Sequence, residues 1–313
     1  MHDRDMPFPV PPPPAIYLPP LTSPVRQIGA HSFDFRTRVA VMAVVNRTPD
    51  SFYDHGATFE LEAAVRACAR AEDAGADWVD IGGAPFAPGP AISVQDELDR
   101  VLPVVLAVRE NSDVVISVDT FQADVAAACI EAGANVINDT SGLHDPSVAR
   151  VVADSAATLV ITHSLAQPRT AYARPHYDDV AGEVAAFLRQ RVDHAVGLGV
   201  PEERIIIDPG HDLNKNTMQS LELTRRLSEV AEIGLPVLAA VSNKDFIGET
   251  LDADRADRLE GSLAAAVFSI VQGARIVRMH NVAESVSAVR MTEAILGFRK
   301  PAYVRHNMGD VND

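Results

Sequence analysis

The chain has 313 residues, of which 47% are hydrophobic, and its formal net charge is −16. This length and composition suit one large α/β domain, and the acidic balance argues against a nucleic-acid-binding surface. No apolar run approaches the roughly 18 residues of a membrane span, and the N-terminus lacks the basic and apolar segments of a signal peptide. Because the two cysteines show no metal-binding spacing, we expect a cytoplasmic protein with reduced thiols.

Residues 1–36 differ from the rest of the chain. The stretch MPFPVPPPPAIYLPPLTSP is dense in proline and has neither a helical nor a strand period. This composition is typical of polyproline or flexible chain. We therefore predict a flexible tail over residues 1–36, one folded domain over 37–300 and a C-terminal tail over 301–313.

From residue 38 onward, short β-branched runs alternate with Ala-rich segments of helical period. There are eight such runs: RVAVMAVVN, DWVDIGG, VVISVDT, NVINDTSG, TLVITHS, RIIIDPG, LPVLAAVSNK and RIVRMHN. Continuous apolar runs indicate parallel strands that are buried on both faces. Eight β–α units predict a (β/α)8 TIM barrel. The alternative is a doubly wound open sheet, which is disfavoured because no G-x-G-x-x-G follows the first run.

Polar residues end most of these runs, at the edge where the active site of such a barrel lies. They are Asn46, Asp80, Asp119, Asn138, Asp139, His163, Asp208, Lys244, Arg278 and His280. One of them could simply cap the next helix, but ten at one rim cannot all be caps. Leaving them unpaired near the core would cost about a few kcal/mol each. A polar ligand is therefore expected at this rim.

The residue types indicate the chemistry of that ligand. Asp and Asn side chains with one Lys suit a flat heterocycle that carries N–H donors and carbonyl acceptors. Arg278 and His280 alternate on the last strand, and with Asn46 on the neighbouring first strand they form a candidate phosphate site. Asn46 also offers the hard oxygen that Mg²⁺ prefers. One run ends differently, since DIGGAPFAPG closes on unreactive side chains: Ala84, Pro85, Phe86 and Ala87.

Several motifs resemble those of dihydropteroate synthases. They are NRTPDSFYDHG, SVDTFQADVA, AGANVINDTSG, IIIDPG, SNKDFIGETL and RMHNV, in the family's order, and the likeness spans residues 38–298. The resemblance implies condensation of a pterin pyrophosphate with p-aminobenzoate, release of pyrophosphate, Mg²⁺ as cofactor and a homodimer. It implies pterin contacts from Asp119, Asn138, Asp208 and Lys244. It implies pyrophosphate contacts from Asn46, Arg278 and His280, a metal ligand in Asn46, and catalytic roles for Asn46, Lys244, Arg278 and His280.

The chain departs from the family pattern on one side of the expected site. Where the family reads D-I-G-G-E-S-T-R-P-G, positions 84–87 carry Ala, Pro, Phe and Ala. D-P-G-I-G-F-G-K becomes DPGHDLNK, which introduces His211 and Asp212 and keeps Lys215. S-R-K becomes Ser-Asn243-Lys, and M-H becomes Thr162-His163. We interpret these changes as a rebuilt second-substrate side beside intact pterin and pyrophosphate sites.

Four functions fit the sequence to different degrees. The first is a pterin-binding paralogue that is weak or inactive as a dihydropteroate synthase. The second is a functional synthase with a variant loop, and the third is a pterin- or nucleotide-responsive binding protein without catalysis. The fourth, a corrinoid-linked methyltransferase, lacks support because N-x-T-P-D-S-F and R-x-H indicate pyrophosphate chemistry. An altered aromatic amine acceptor is compatible with the first two.

Overall fold

The computed structural model describes residues 17–46, 57–84, 88–172 and 174–307, and for residues 46 and 57–60 it describes the backbone alone. Within these ranges eight parallel strands close into a barrel, with β10 paired to β3. The barrel strands are β3 (Ala40–Asn46), β4 (Trp78–Gly82), β5 (Val115–Asp119), β6 (Val136–Asp139), β7 (Thr158–Thr162), β8 (Ile205–Asp208), β9 (Val237–Ala239) and β10 (Ala274–Met279). The predicted (β/α)8 barrel and its eight strands are confirmed.

Helices follow the strands and cover the outside of the barrel. They are α1 (Ala57–Asp73), α2 (Val94–Asn111), α3 (Ala123–Glu131), α4 (Pro146–Ala153), α5 (Val180–Gly197), α6 (Thr217–Arg225), α7 (Leu227–Ala231), α8 (Asp245–Leu251), α9 (Leu259–Val271) and α10 (Val282–Ile295). Ser93 caps α2, since its Oγ accepts the backbone N–H of Asp96 at 3.0 Å. Among the described residues, no helix is long and apolar enough to cross a membrane.

The strands form two apolar layers because alternate side chains point to opposite faces. One set packs outward against the helices. The other set fills the barrel interior with Ala40, Met42, Trp78, Val115, Val136, Val160, Ile206, Leu238 and Ile276. Burial on both faces explains the continuous apolar runs of the sequence.

A β-hairpin precedes the barrel, formed by β1 (Val25–Ile28) and β2 (His31–Asp34). Phe33 and Phe35 are completely buried against the barrel interior, and the Phe33 ring meets the Trp78 ring edge-on at 5.7 Å. The folded part therefore begins earlier than the predicted boundary at residue 36. The alternating Ile28, Phe33 and Phe35 supply the apolar face that holds the hairpin. Residues 301–307 are exposed and form neither helix nor strand.

Candidate functional site

A polar pocket opens at the carboxyl ends of the barrel strands. Its polar lining comes from β5, β6, β7, β8, β10 and the loops after β6, β8 and β9, and comprises Asp119, Asn138, Thr140, Thr162, Asp208, His211, Lys244 and Arg278. Four residues that the sequence assigned to a heterocycle, Asp119, Asn138, Asp208 and Lys244, thus share one pocket. Its volume is about 70 Å³, less than the roughly 300 Å³ of a pocket that encloses a small-molecule ligand. A bicyclic ligand therefore requires side chains at the pocket to move.

Arg278 is tied to two carboxylates across the top of the barrel. Its Nε donates to Asp80 Oδ2 at 2.6 Å, and its Nη2 lies 3.5 Å from Asp119 Oδ2. Asp80 is completely buried and also accepts from Ser117 Oγ at 2.6 Å and Asn138 Nδ2 at 3.3 Å. The sequence indicates Asp80 only as a polar residue near a strand end. The structure makes it the anchor of the arginine.

His280 has different partners from Arg278. It lies just beyond the end of β10, and its backbone N–H and Nδ1 lie 3.2 Å and 3.0 Å from Ser242 Oγ. Burial lowers the pKa of His280 to about 4, with Arg278 as the next cause. The side chain of Asn46, the third member of the predicted phosphate site, lies outside the described residues.

Burial shifts the protonation of the pocket carboxylates. It raises the pKa of Asp119 to about 7, helped by the neighbouring Asp80 charge, and the pKa of Asp208 to about 6. Burial also lowers the pKa of Lys244. N–H donors of a ligand would stabilise the ionised carboxylates and draw these values back down. The pocket is thus arranged to gain charge stabilisation when a donor-rich ligand enters.

Four buried polar atoms of the lining have no hydrogen-bond partner among the described residues. They are Asn138 Oδ1, Thr162 Oγ1, His211 Nδ1 and His211 Nε2. A buried polar group without a partner costs about 1–3 kcal/mol. Their convergence on one pocket indicates that a polar ligand completes their hydrogen bonding.

The loop after β8 takes an arrangement that the sequence did not reveal. Asp212, with φ of 64°, accepts the backbone N–H groups of Asp245 at 2.6 Å and Phe246 at 3.3 Å. Asn214, with φ of 53°, accepts the backbone N–H groups of Leu165 at 2.8 Å and Ala166 at 3.0 Å. Both stand where the family pattern has Gly, and Asp and Asn are the non-glycine residues that best tolerate this conformation. The replacement of two glycines by Asp and Asn was therefore the signal in the sequence that these two side chains fix the loop.

The same loop is held from inside by Lys215. Its Nζ lies 2.9 Å from Gly210 O, 3.0 Å from Leu213 O and 2.9 Å from His163 Nδ1. Burial lowers the pKa of Lys215 to about 7. Lys215 and His163 therefore bind each other and the loop, and neither lines the pocket.

The remaining altered positions lie in or near neighbouring loops. Asn243 has φ of 56°, and its backbone N–H donates to Ser262 Oγ at 3.0 Å. Ala84 is described and follows Gly83, whose carbonyl accepts Arg100 Nη1 at 2.8 Å. Pro85, Phe86 and Ala87 lie outside the described residues, as does the segment 47–56 that contains the N-x-T-P-D-S-F motif.

Comparison with known proteins identifies similar chains. A family model described as pterin binding enzyme matches residues 42–280. The chain is 44% identical over 270 residues to the inactive dihydropteroate synthase 2 of Mycobacterium tuberculosis (strain H37Rv), covering 84% of this chain and 85% of that one. It is 38% identical over 261 residues to the dihydropteroate synthase of Escherichia coli K12, covering 83% and 93%.

Solved structures give the same result. The dihydropteroate synthase of Xanthomonas albilineans with 4-aminobenzoic acid superposes with a TM-score of 0.81 at 37% identity, covering 88% of this chain and 98% of that chain. The same enzyme in complex with 7,8-dihydropteroate gives a TM-score of 0.78 at 37% identity, covering 87% and 98%. The likeness therefore extends over the whole barrel.

Proposed function

This chain belongs to the pterin-binding enzyme family as a dihydropteroate synthase homologue, and we propose that it binds a pterin pyrophosphate but transfers the pterin to p-aminobenzoate poorly or not at all. The observation that carries the proposal is the meeting of Asp119, Asn138, Asp208 and Lys244 in one buried pocket. Two carboxylates and an amide can pair with the N–H groups of an amino-oxo-pyrimidine, and the lysine can donate to its carbonyl.

We assign the pyrophosphate to the side of Arg278, His280 and Asn46. Arg278 carries the cationic fork that suits phosphate oxygens, although in this structure the fork is bound to Asp80 and Asp119. Stabilising the leaving pyrophosphate lowers the barrier to cleavage of the pterin methylene C–O bond. A pterin without its pyrophosphate therefore tests the heterocycle pocket independently of this side.

Mg²⁺ is proposed as the cofactor for that step, with Asn46 as its protein ligand. Among the described residues, no group of three His, Cys, Asp or Glu side chains could hold a metal ion. A single side-chain oxygen from Asn46 still fits Mg²⁺, because this ion is commonly held by one or two protein oxygens together with substrate phosphates and water. When bound, the ion supplies charge neutralisation of the pyrophosphate.

We expect transfer of the pterin to p-aminobenzoate to be weak because the side of the site that binds this acceptor is altered. The resemblance gives positions 84–87 as Glu, Ser, Thr and Arg, whereas this chain has Ala, Pro, Phe and Ala. Losing two arginines, at positions 87 and 243, removes charged contacts of about 1.5–3 kcal/mol each to a carboxylate. The sum corresponds to a loss of roughly a hundredfold or more in acceptor binding. The identity to a relative named inactive supports this proposal.

An apolar groove supports the proposal of a homodimer. It lies between α6, α8 and α9 and is lined by Leu221, Phe246, Ile247, Leu251 and Phe268, among others. Leu251 and Phe268 are 54% and 43% exposed in the single chain. A cytoplasmic location is proposed as well, in keeping with the free buried thiols of Cys68 and Cys129.

Calorimetry and a pyrophosphate-release assay test the proposal together. We expect 6-hydroxymethylpterin to bind the wild-type chain and to bind Asp208→Ala at least tenfold more weakly, the loss expected for about 1.4 kcal/mol. Pyrophosphate release from the pterin pyrophosphate with Mg²⁺ and p-aminobenzoate should be near background. Release at the rate of an ordinary synthase would instead establish the alternative, a functional synthase, which the 38% identity to the E. coli enzyme keeps open.

A further inference from the structure

We propose that Thr162 and His211 form a second hydrogen-bonding wall of the pocket, which selects pterins that carry an additional ring carbonyl. This inference rests on the proposed pterin-binding function and adds to it two specificity-determining residues. Neither belongs to the set that the sequence assigned to the heterocycle. His211 was assigned to the second-substrate side, but it lines the same pocket as Asp208 and Lys244.

The His211 imidazole is a buried polar group held for contact with a ligand. It is fully buried, and neither ring nitrogen has a hydrogen-bond partner in the described part of the chain. Its ring lies 6.1 Å from the Phe246 ring at an interplanar angle of 29°, which restricts its orientation. Lys215, the nearby cation of the same loop, is engaged with Gly210, Leu213 and His163 instead. The imidazole nitrogens are therefore left for the pocket.

Thr162, at the end of β7, lines the same pocket as His211. It is fully buried, and its Oγ1 has no partner among the described residues. The strand register places Thr162 opposite Asp208. A Cβ built on Gly210, which precedes His211, would come within 3.3 Å of Thr162 Cγ2 and 2.3 Å of the His163 carbonyl oxygen. The glycine thus allows the backbone just before His211 to approach the end of β7 closely, which brings Thr162 and the loop after β8 together at the pocket.

The chemistry of the pair indicates a neutral polar group on the ligand. Burial, followed by the charges of Lys215 and Lys244, lowers the pKa of His211 to about 3, so the imidazole is neutral and offers one N–H donor and one acceptor. A hydroxyl beside it can donate to a carbonyl or accept from an amide N–H. The family pattern has Met and Ile at these two positions, so the wall is apolar there. An extra ring carbonyl, with the N–H of its lactam form, matches the added donors and acceptors.

Titration calorimetry with three probes tests the inference: pterin, xanthopterin with a 6-oxo group and isoxanthopterin with a 7-oxo group. We expect the wild-type chain to bind at least one oxo-pterin about tenfold more tightly than pterin, as one added buried hydrogen bond allows. Thr162→Val and His211→Ile should each remove that preference, so that the ratio of oxo-pterin affinity to pterin affinity falls to about one. Thr158→Val, the same change at the opposite end of β7, should keep the preference.

The outcomes separate this inference from the proposed function. Equal affinity of the wild-type chain for all three probes, or a preference that survives in both variants, overturns the second wall. If Asp208→Ala then still abolishes pterin binding, the proposed function stands without it. If the wild-type chain binds none of the probes, the proposed function and the inference are overturned together.

Discussion

The Asp212 carboxylate accepts the backbone N–H of Asp245 at 2.6 Å and so caps the first turn of α8 from a different loop. Helix α8 begins directly after Lys244, and its own N-cap side chain makes no capping bond. Ser220 Oγ donates to the same carboxylate at 3.1 Å and fixes its position. Asp212 therefore sets where Lys244 enters the pocket.

Replacing Asp212 tests this positioning role. Asp212→Gly suits the left-handed backbone but removes the cap, and we expect a loss of about 1 kcal/mol in the free energy of unfolding. Pterin affinity should fall several-fold because Lys244 is no longer held. Asp212→Asn keeps an accepting oxygen and should behave nearly as the wild-type chain in urea unfolding and in calorimetry. Unchanged pterin binding by the glycine variant would show that the position of Lys244 does not depend on Asp212.

The buried Asp208 should lower the free energy of unfolding at neutral pH. Burial raises its pKa in the folded state from 3.8 to about 6, so the folded chain binds more protons than the unfolded chain between these values. The free energy of unfolding therefore falls as pH rises through this window, by up to about 3 kcal/mol from this group.

Asp208→Asn removes the ionisable carboxyl and with it this loss in the free energy of unfolding. We expect the variant to be more stable than the wild-type chain at pH 8, with a smaller difference at pH 4.5, while pterin binding is lost. Urea unfolding at the two pH values measures the difference. Asp34→Asn serves as control, since this exposed carboxyl has a pKa lowered by Arg36 and its replacement should bring no gain at pH 8. A gain at pH 8 no larger than that at pH 4.5 would contradict the assignment.

The Arg278–Asp80 pair should be essential for stability as well as for binding. Asp80 is completely buried, and Arg278→Met leaves its carboxylate without the paired charge. We expect a loss of about 3–5 kcal/mol, and partial recovery in the double variant Asp80→Asn/Arg278→Met. The exposed pair of Arg36 and Asp34 is the control, because Arg36→Ala should cost at most about 1 kcal/mol. Urea unfolding of Arg278→Met, Asp80→Asn, the double variant and the control Arg36→Ala gives the comparison, and additive losses from the two single changes would show that the two residues are independent.

The role of the loop after β4 can be tested by restoring the residues of the family pattern. Restoring Glu, Ser, Thr and Arg at positions 84–87 should recover part of the p-aminobenzoate activity if this loop is the main defect. Product formation by the grafted chain measures the effect. No gain would indicate that His211, Asp212 and Asn243 matter at least as much.

The barrel and the convergence of Asp119, Asn138, Asp208 and Lys244 at one rim were predictable, but several side-chain partners were not. Apolar runs such as VVISVDT indicate buried parallel strands, and the ends of parallel strands meet at one edge, which brings Asp119 and Asp208 together. The hairpin with Phe33 was missed because the proline-rich stretch next to it hid a short alternating pattern. That Arg278 reaches Asp80 on β4 follows from barrel closure, which no local pattern encodes.

The loop after β8 shows the same limit. Asp212 and Asn214 replaced glycines in the family pattern, and their types fit a left-handed backbone, but their partners lie on α8 and on the loop after β7. Sequence spacing could not identify those partners. It also could not show that His211 lines the pocket of Asp208, since the direction of a loop side chain depends on how the loop packs.

The most direct test of a pterin-binding chain with little synthase activity combines purified wild-type chain, pterin pyrophosphate, p-aminobenzoate and Mg²⁺, and measures dihydropteroate and pyrophosphate. Calorimetric binding of 6-hydroxymethylpterin is measured separately on the same preparation. We expect pterin binding that depends on Asp208, with product formation far below that of an ordinary dihydropteroate synthase. Turnover comparable to such an enzyme, or rescue of a synthase-deficient strain, would contradict this expectation.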